Sequence, residues 1–245
     1  PDSANVLKEV KVKAYLSDQS LLSIPASAVS LSETYLDQRN TTSLLPALNS
    51  VSGVKMEERS PGSYRLSLRG SLVRSPFGVR NIKIYFDDFP LTDAGGNTYL
   101  NLLDQNAISG IEILKGPDAS LFGANSGGVL LMESLDKAGQ PIEASLAAGS
   151  FGLFRENITI QKSKPDYDFV IHQAYQRSDG YRDHSGMRRF YLQTAHDWRY
   201  HSKASLKFSG FYSDLDYETP GGLSPEQFIS QPKSARNGAQ EKNVG

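Results

Sequence analysis

Residues 111–132 read IEILKGPDASLFGANSGGVLLM, in which two largely apolar segments, 111–114 and 127–132, flank a glycine-rich loop. Glycine adopts positive φ angles without a steric penalty, so Gly116 and Gly123 allow the tight reversals that such a loop needs. Short apolar runs bounded by Gly and Pro are typical of buried strands. The stretch therefore predicts a strand, a tight connection and a second strand.

A phosphate-binding loop is the competing interpretation of residues 116–123. That motif ends in Gly-Lys-Ser or Gly-Lys-Thr, because the lysine contacts the phosphates and the hydroxyl contacts the metal ion. Here Gly123 is followed by Ala124 and Asn125. The sequence argues against a nucleotide site at this loop.

The part of the chain before residue 137 mixes short strands, short helices and glycine turns. The alternating or apolar segments predict strands at 9–13, 51–57, 64–69 and 81–86, and helices at 29–36, 41–48 and 101–108. Thr41 or Thr42 is a plausible N-cap for the second helix, and Pro46 is expected to disturb its middle or set its end. These elements predict an α+β domain with a mixed four-stranded sheet and short helices.

After residue 137, strict alternation dominates. Five segments alternate with period two, namely 142–149, 153–162, 167–176, 189–200 and 203–213. Their lengths are close to the roughly 9–11 residues that a tilted strand needs to cross a bilayer. In the third segment Tyr167, Phe169 and Ile171 share one face, opposite Asp168 and His172. The pattern favours a transmembrane β-barrel, although a soluble antiparallel sandwich also alternates.

The connections between these segments also alternate in length. Residues 163–166 and 201–202 are short, whereas 177–188 and the stretch after 214 are long. Outer-membrane barrels have short turns on one side and long loops on the other. Residues 150–152 break this rule, because they are short where a long loop is expected.

Bulk composition excludes several classes of protein. The net charge is −1, so nothing indicates a nucleic-acid partner, and the absence of cysteine excludes disulfides and thiolate metal sites. No run of 18 apolar residues predicts a transmembrane helix, and no signal peptide is visible. The chain has neither an H-E-x-x-H nor a G-x-S-x-G motif, and we expect it not to be an enzyme.

Five pieces of the chain, taken in order, resemble the plug domain of TonB-dependent outer-membrane receptors and transporters. They are LLPAL with VSGV (44–48, 51–54), LSLRG (66–70), IYFDDFPL (84–91), IEILKGP (111–117), and SLFG with GGV (120–123, 127–129). These are similar to the family's helix before PGV and to its motifs IRG, VYVDGVPL and IEVLKGPASALYGSNAxGGVI. The resemblance implies a TonB-box-like segment at 1–13, a plug at 14–136 and about five barrel strands at 137–245.

The resemblance also implies roles for particular residues. An extended segment before the plug binds TonB by strand addition, which assigns this role to Glu9, Val10, Lys11 and Val12 unless they form the first plug strand. The resemblance assigns plug gating or barrel contact to Arg69, Lys115, Gly116 and Gly128. Outward plug loops would bring Arg59, Arg74, Asn97 and Tyr99 to an anionic iron chelate.

The implied function is TonB-driven uptake of a scarce ligand across the bacterial outer membrane. The ligand would be an iron–siderophore or another ferric chelate, and residues 217–228 resemble an outer loop of iron-complex transporters. The implied partners are TonB, the ligand and outer-membrane lipid, with no cofactor. The chain would be an N-terminal fragment of the transporter. The alternatives are a signalling or adhesive receptor on the same fold and a soluble carbohydrate-binding β-protein.

Overall fold

The computed structural model describes residues 11–12, 19–20, 27–39, 42–60, 62–71, 79, 81–93, 95–116, 122, 127–134 and 140–239. Two five-stranded sheets dominate this part of the chain, one mixed and one antiparallel. Among the residues that the structure describes, no helix is both long enough and apolar enough to span a membrane.

The first sheet lies in the region predicted as a plug, and the described part of residues 27–134 is called the plug. Two short strands, β1 and β2, precede it. The elements are β1 Lys11–Val12, β2 Gln19–Ser20, β3 Ser27–Ser32, α1 Glu33–Asp37, α2 Leu45–Asn49, β4 Val54–Ser60, β5 Ser63–Leu68, β6 Ile82–Phe86, β7 Phe89–Pro90, 3₁₀ turns at Leu100–Leu102 and Gln105–Ala107, β8 Ile108–Lys115 and β9 Gly128–Ser134.

The plug sheet has the strand order β3-β8-β9-β6-β7, and β6 pairs with β9 in parallel. β4 and β5 form a separate hairpin, and β1 pairs only with β2. The predicted mixed sheet with short helices is therefore confirmed, with a fifth strand added at its edge by Phe89–Pro90. As predicted, the two apolar segments of the stretch 111–132 belong to neighbouring antiparallel strands, β8 and β9.

Two of the predicted plug helices are wrong in part. Residues 27–32 form a strand, in which Val29 pairs with Ile113, and only Glu33–Asp37 is helical. The helix begins there because the Ser32 hydroxyl accepts a hydrogen bond from the Tyr35 amide at 3.4 Å. Pairing with β8 outweighs the weak helical preference of residues 29–32.

The predicted helix at 101–108 is two 3₁₀ turns separated by Leu103 and Asp104. The Asp104 carboxylate accepts the Asn106 amide at 3.0 Å and so starts the second turn. In α2, Pro46 lies in the first turn rather than at the middle or end. Backbone N–H groups of the first turn have no partner within the helix, so the missing N–H of Pro46 costs no helical hydrogen bond. The N-cap of α2 is Leu44, so the prediction of Thr42 is wrong, and Thr41 lies outside the described residues.

The plug core is apolar and closely buried. Leu48, Leu66, Ile84, Ile113 and Leu130 are each 0% exposed. Burying a side chain of this size contributes roughly 1.5–3 kcal/mol. The hairpin β4–β5 and helix α2 join the sheet in this one core, and two residues from later in the chain, Ala174 and Tyr191, join it as well.

The second sheet, called the wall, runs in consecutive antiparallel order. Its strands are β10 Ile142–Ala148, β11 Phe154–Ser163, β12 Tyr167–Ser178, β13 Met187–His201 and β14 Ala204–Tyr217, followed by α3 Pro225–Ser230. All five predicted segments are strands, with ends shifted by a few residues. The short turn at 150–152 is also observed, with positive φ at Phe151 and Gly152, as expected of a type I′ hairpin turn.

The wall buries mostly polar side chains, together with Val170, Ala174, Tyr191 and Ala195, and exposes apolar ones. Its inner face, towards the plug, carries Arg155, Thr159, His172 and Gln193, all at most 5% exposed. Its outer face carries Ile160, Ile171, Trp198, Leu206 and Phe208, which are 37–58% exposed. This is the reverse of the pattern in a water-soluble sheet.

Candidate functional site: a charged contact between plug and wall

The contact between plug and wall centres on Asp104, in the middle of the plug chain. Asp104 is 0% exposed. The two 3₁₀ turns on either side hold its carboxylate at the plug surface, and β8 begins directly after the second turn. A buried carboxylate is unfavourable unless cations or hydrogen-bond donors surround it.

Two wall arginines supply those donors. Arg155 of β11 places Nη2 2.6 Å from Asp104 Oδ1. Arg189 of β13 places Nη2 2.8 Å from Asp104 Oδ2, and its Nη1 donates to the Leu103 carbonyl at 2.9 Å. Each carboxylate oxygen is therefore paired with a different strand of the wall.

Two further residues of β12 complete the charged contact. The Gln176 side-chain oxygen accepts from Arg155 at 2.7 Å and lies 3.4 Å from Arg189 Nη2. His172 places Nε2 3.4 Å from Asp104 Oδ1 and Nδ1 2.8 Å from the Thr159 hydroxyl. A neutral imidazole fits this arrangement when Nε2 donates to Asp104 and Nδ1 accepts from Thr159.

These contacts keep Asp104 ionised. Burial alone raises the pKa of Asp104, but the His172 hydrogen bond and the charges of Arg155 and Arg189 outweigh burial. The net result is a pKa well below the ordinary value for Asp. The buried contact holds two arginine charges against one carboxylate, so removing Asp104 would leave two cations without compensation.

The four residues predicted for gating do lie together, at a different place in the plug. Gly116 and Gly128 bring β8 and β9 into close contact, with the Gly116 amide 3.3 Å from where a Cβ on Gly128 would lie. A Cβ on Gly116 would lie 2.8 Å from Arg69 Nη1. The Lys115 ammonium donates to the Ser52 carbonyl at 2.7 Å.

Arg69 and Lys115 form a pair of neighbouring cations. Burial lowers the pKa of Lys115, and the positive charge of Arg69 lowers it further. Within the described ranges, neither cation is ion-paired with a carboxylate. Their predicted role in barrel contact stays a prediction.

The residues predicted for ligand contact lie on separate loops. Arg59 is near the tip of the β4–β5 hairpin, where a Cβ on Gly62 would lie 2.9 Å from Leu215 at the end of β14. Asn97 and Tyr99 flank Thr98 in another loop, and Tyr99 is 51% exposed. Arg74 lies outside the described residues, so the four are not shown to form one site.

The predicted TonB-binding residues are described only in part. Lys11 and Val12 form β1 and pair with Ser20 and Gln19 of β2. Glu9 and Val10 lie outside the described residues. Whether this segment binds TonB or serves as a plug strand stays open.

Sequence reasoning missed the charged contact with Asp104. The alternation of β11, β12 and β13 indicated that Arg155, His172, Gln176 and Arg189 share one face with other polar residues. A buried arginine needs an anionic partner, and this was the available signal. It could not identify Asp104, since plug docking is not encoded in strand periodicity.

Comparisons with known proteins agree with this architecture. Residues 20–129 match the family model of the TonB-dependent receptor plug domain. The vitamin B12 transporter BtuB of Vibrio vulnificus is 24% identical over 143 residues, which cover 58% of this chain and 23% of that protein.

Solved receptors share the fold at low sequence identity. The pyoverdine outer-membrane receptor FpvA of Pseudomonas aeruginosa matches with a TM-score of 0.71 and 17% identity, over 87% of this chain and 31% of FpvA. The siderophore receptor PirA of Pseudomonas aeruginosa matches with a TM-score of 0.59 and 18% identity, over 79% of this chain and 34% of PirA. The chain spans about a quarter to a third of the length of these relatives.

The family match and the architecture fit together. Most of the plug sheet lies within the matched residues, and β9 extends beyond them, while the similarity to FpvA covers 87% of the chain and so includes strands of the wall. Residues 20–129 thus match the plug domain of TonB-dependent receptors, and the chain as a whole shares the fold of the solved receptors, with five antiparallel strands after the plug.

Proposed function

We propose that a receptor carrying this chain takes up a scarce ligand across the bacterial outer membrane, driven by TonB, and that the ligand is an iron–siderophore or a related ferric chelate. The observation that carries the proposal is a plug held against the largely polar inner face of a wall by buried charges and by an apolar contact with Ala174 and Tyr191, while the outer face of that wall is apolar. Such a plug can block a pore and still be released.

The outer face of the wall suits a lipid environment. Phe154, Tyr175, Phe190 and Tyr212 lie towards one end of the strands, and Phe154 and Phe190 contact Tyr175 and Tyr212 respectively. Towards the other end lie Tyr167, Phe169, Trp198, Tyr200 and Phe208, with Ile171 and Ile160 between the two groups. Two aromatic belts around an apolar band are typical of outer-membrane barrels.

The long connections mark the side from which ligand would enter. Residues 179–186 and 218–239 lie at the same end of the wall, and the β4–β5 hairpin tip packs against Leu215 there. We place this end outside the cell, which puts Arg59 near the ligand. Arg74, Asn97 and Tyr99 remain candidates for ligand contact because of the family resemblance alone.

The remaining parts of the proposal concern the energy supply and the gate. Residues 9–12 would pair with TonB, and Arg69 and Lys115 would meet carboxylates on wall strands outside this chain. The siderophore assignment is supported by the similarity to FpvA and PirA, whose names specify siderophore ligands. The match to BtuB supports TonB-dependent uptake in general.

The experiment is uptake of ⁵⁵Fe-loaded siderophores by cells whose only receptor of this kind carries this chain. We expect accumulation with at least one ferric chelate, and its loss after deletion of TonB or addition of an uncoupler. Uptake of cobalamin and of no iron chelate would contradict the ligand class. Iron uptake that persists without TonB would contradict the energy source.

A further inference from the structure

A histidine lies on the outer face of the wall, at the end that carries the short turns. His196 of β13 lies directly opposite Phe169 of β12 and Phe208 of β14, and Phe169 lies opposite Lys162 of β11. We call these four residues the histidine row. The row is close to the turn at 164–166, at the depth of the second aromatic group. Ionisable side chains are uncommon on a lipid-facing surface, and each one needs polar partners.

Both ring nitrogens of His196 have such partners. The Tyr167 hydroxyl lies 2.6 Å from Nδ1, and the Thr194 hydroxyl lies 2.7 Å from Nε2. Three aromatic rings pack against the imidazole, with centroid separations of 5.9 Å to Tyr167, 6.3 Å to Phe169 and 6.0 Å to Phe208. Aromatic faces attract a cation at such distances. The surroundings of His196 therefore accommodate the charged imidazole as well as the neutral one.

The charge of His196 determines how many hydroxyl protons are free around it. A neutral imidazole has a single N–H, so one of its two hydrogen bonds must use the hydroxyl proton of Tyr167 or Thr194. A protonated imidazole donates from both nitrogens, and both hydroxyl protons are then free to point outward. Proton binding at His196 therefore raises the number of outward hydroxyl donors from one to two and adds a positive charge.

Positive charge is in excess on the outer side of this end of the wall. Lys162 is exposed there and forms no ion pair within the part of the chain that the structure describes. Asp168, which lies on the inner face, pairs instead with Arg199 at 2.7 Å. Two strand spacings, about 10 Å, separate Lys162 from His196, and the long lysine side chain can reach over the ring between them.

The remaining charged groups near His196 do not cancel this excess. The adjoining turns expose Lys164 and Lys203 against Asp166. Carboxylates on the outer face of the described strands, such as Glu156 and Asp214, lie towards the opposite end. The nearest titratable or charged residues on the outer face of each strand are Lys162 of β11, Tyr167 of β12, Tyr200 of β13 and Tyr212 of β14. A partner for this surface should therefore be anionic.

The outer face is indented beside the histidine row. Gly210 of β14 lies opposite Thr194, and a Cβ built on it would meet only the ring of Phe208, at 3.7 Å. The surface next to Thr194 is therefore open towards the lipid side. Phe208 is 58% exposed and Ile171 is 37% exposed, so apolar surface adjoins the hydroxyl groups. An amphipathic molecule can thus place its apolar chain and its polar group on neighbouring parts of this face.

We propose that the histidine row, with the hydroxyls of Tyr167 and Thr194, binds the headgroup phosphate of an anionic phospholipid in the periplasmic leaflet, and that protonation of His196 strengthens this binding. The phosphate accepts hydrogen bonds from the hydroxyls and the Lys162 ammonium, while an acyl chain lies on Phe208. Basic residues at a membrane surface attract anionic lipid in this way. The site rests on the proposed function, which places the short turns in the periplasm.

Lipid retention by the complete receptor tests this site. The receptor would be purified in a non-ionic detergent, mixed with equal amounts of phosphatidylglycerol and phosphatidylcholine, and examined by native mass spectrometry. Spectra at about pH 7.5 and about pH 5.5 lie on either side of the ordinary His pKa of about 6.5. We expect retention of phosphatidylglycerol over phosphatidylcholine of about threefold at the higher pH and about tenfold at the lower pH. The phosphodiester stays ionised at both pH values, so the change comes from the protein.

Two pairs of variants separate the histidine from the lysine. His196→Phe keeps an aromatic ring but removes both nitrogens, and it should abolish the pH dependence. His201→Phe is its control, because it removes an exposed histidine at the same end of the wall, and it should change nothing. Lys162→Gln should lower the preference by about threefold at both pH values and keep the pH dependence. Lys233→Gln, in the long loop at the other end, should have no effect.

Equal retention of the two lipids by the unaltered receptor would overturn the site, and this comparison does not depend on the folding of any variant. A pH dependence that survives His196→Phe would overturn the role of His196. Displacement of phosphatidylglycerol by an equal concentration of inorganic phosphate would indicate a site for free anions, and stronger retention of lipopolysaccharide would indicate the other leaflet. Either result would overturn the proposed lipid.

These measurements require no transport, so the site and the proposed function can fail separately. A receptor that prefers phosphatidylglycerol but takes up no ligand would contradict the proposed function and leave the lipid site standing. A receptor that takes up a ferric chelate but shows no lipid preference would overturn the lipid site alone.

Discussion

The plug and the wall bury opposite kinds of side chain. In the plug, Leu66, Ile84 and Ile113 are fully buried, as in a water-soluble domain. In the wall, Arg155, His172 and Gln193 are buried, while Ile171 and Phe208 are exposed. The difference fits the proposal that lipid surrounds the outside of the wall, while the plug replaces water on its inside.

The described contact between the two regions combines charged and apolar side chains, because Arg155 and Arg189 pair with Asp104 while Ala174 and Tyr191 of the wall join the hydrophobic core of the plug. Apolar burial would bind the plug over a wide area, because the hydrophobic effect is roughly proportional to buried area. A buried salt bridge attaches the plug to the wall at a single position, and it is stable only when each buried charge has its partner.

Removal of the buried charge should give the largest effect. We expect Asp104→Ala to lower the free energy of plug unfolding in the detergent-solubilised receptor by about 3–5 kcal/mol, because two arginines lose their partner. The measurement is urea unfolding followed by a fluorophore on the plug. Asp88→Ala, which breaks the exposed tie to Lys207, should change the same quantity by at most about 1 kcal/mol. Equal effects would show that burial does not distinguish the two contacts.

A charge on the outer face should test the role assigned to lipid. Ile171→Arg lies between the two aromatic groups and should destabilise the membrane-inserted wall by roughly 2–4 kcal/mol. Leu206→Arg, beside Trp198 near the strand end, should have an effect of about 0–1 kcal/mol. Folding into lipid vesicles, followed by gel mobility in denaturant, measures both. Similar values for the two variants would contradict the proposed membrane position.

A single methyl group at Gly128 should disturb the plug without touching the wall. Gly128 has φ +134°, and an added Cβ would overlap the Leu114 carbonyl and lie 2.7 Å from Leu68 Cδ1. We expect Gly128→Ala to lower plug stability by about 1–3 kcal/mol. Gly222→Ala is the control, since no atom lies within 4 Å of its Cβ position. Unchanged urea midpoints for both variants would exclude close packing at Gly128.

The smallest expected effect is the pH dependence of the contribution that Asp104 makes to stability. The pKa of Asp104 is lowered in the folded state, so its contribution to stability is complete above the ordinary Asp pKa of about 3.9 and declines as pH falls below that value. The stability difference between the unaltered receptor and Asp104→Asn should therefore be constant from pH 8 to pH 5. It should narrow only below about pH 4. A difference that shrinks between pH 7 and pH 5 would show that Asp104 is protonated more easily than its contacts imply.

Sequence reasoning succeeded where the controlling interactions are local. Period-two alternation predicted all five wall strands and assigned Tyr167, Phe169 and His172 to their observed faces. The glycine-rich loop predicted the β8–β9 connection. It failed at residues 29–32 and 101–108, where strand pairing in one case and Asp104 capping in the other replaced the expected helices.

The sequence by itself determined the resemblance to a plug domain, the order of plug and wall, and the alternation of faces along each wall strand, because motifs and alternation are local properties of the chain. Only the tertiary structure decided that Asp104 meets Arg155 and Arg189, which are 51 and 85 residues away. Alternation indicates which face of the wall an arginine lies on, but it does not identify the carboxylate with which that arginine pairs. The partner depends on how the plug docks against three strands at once, which is a non-local property of the fold.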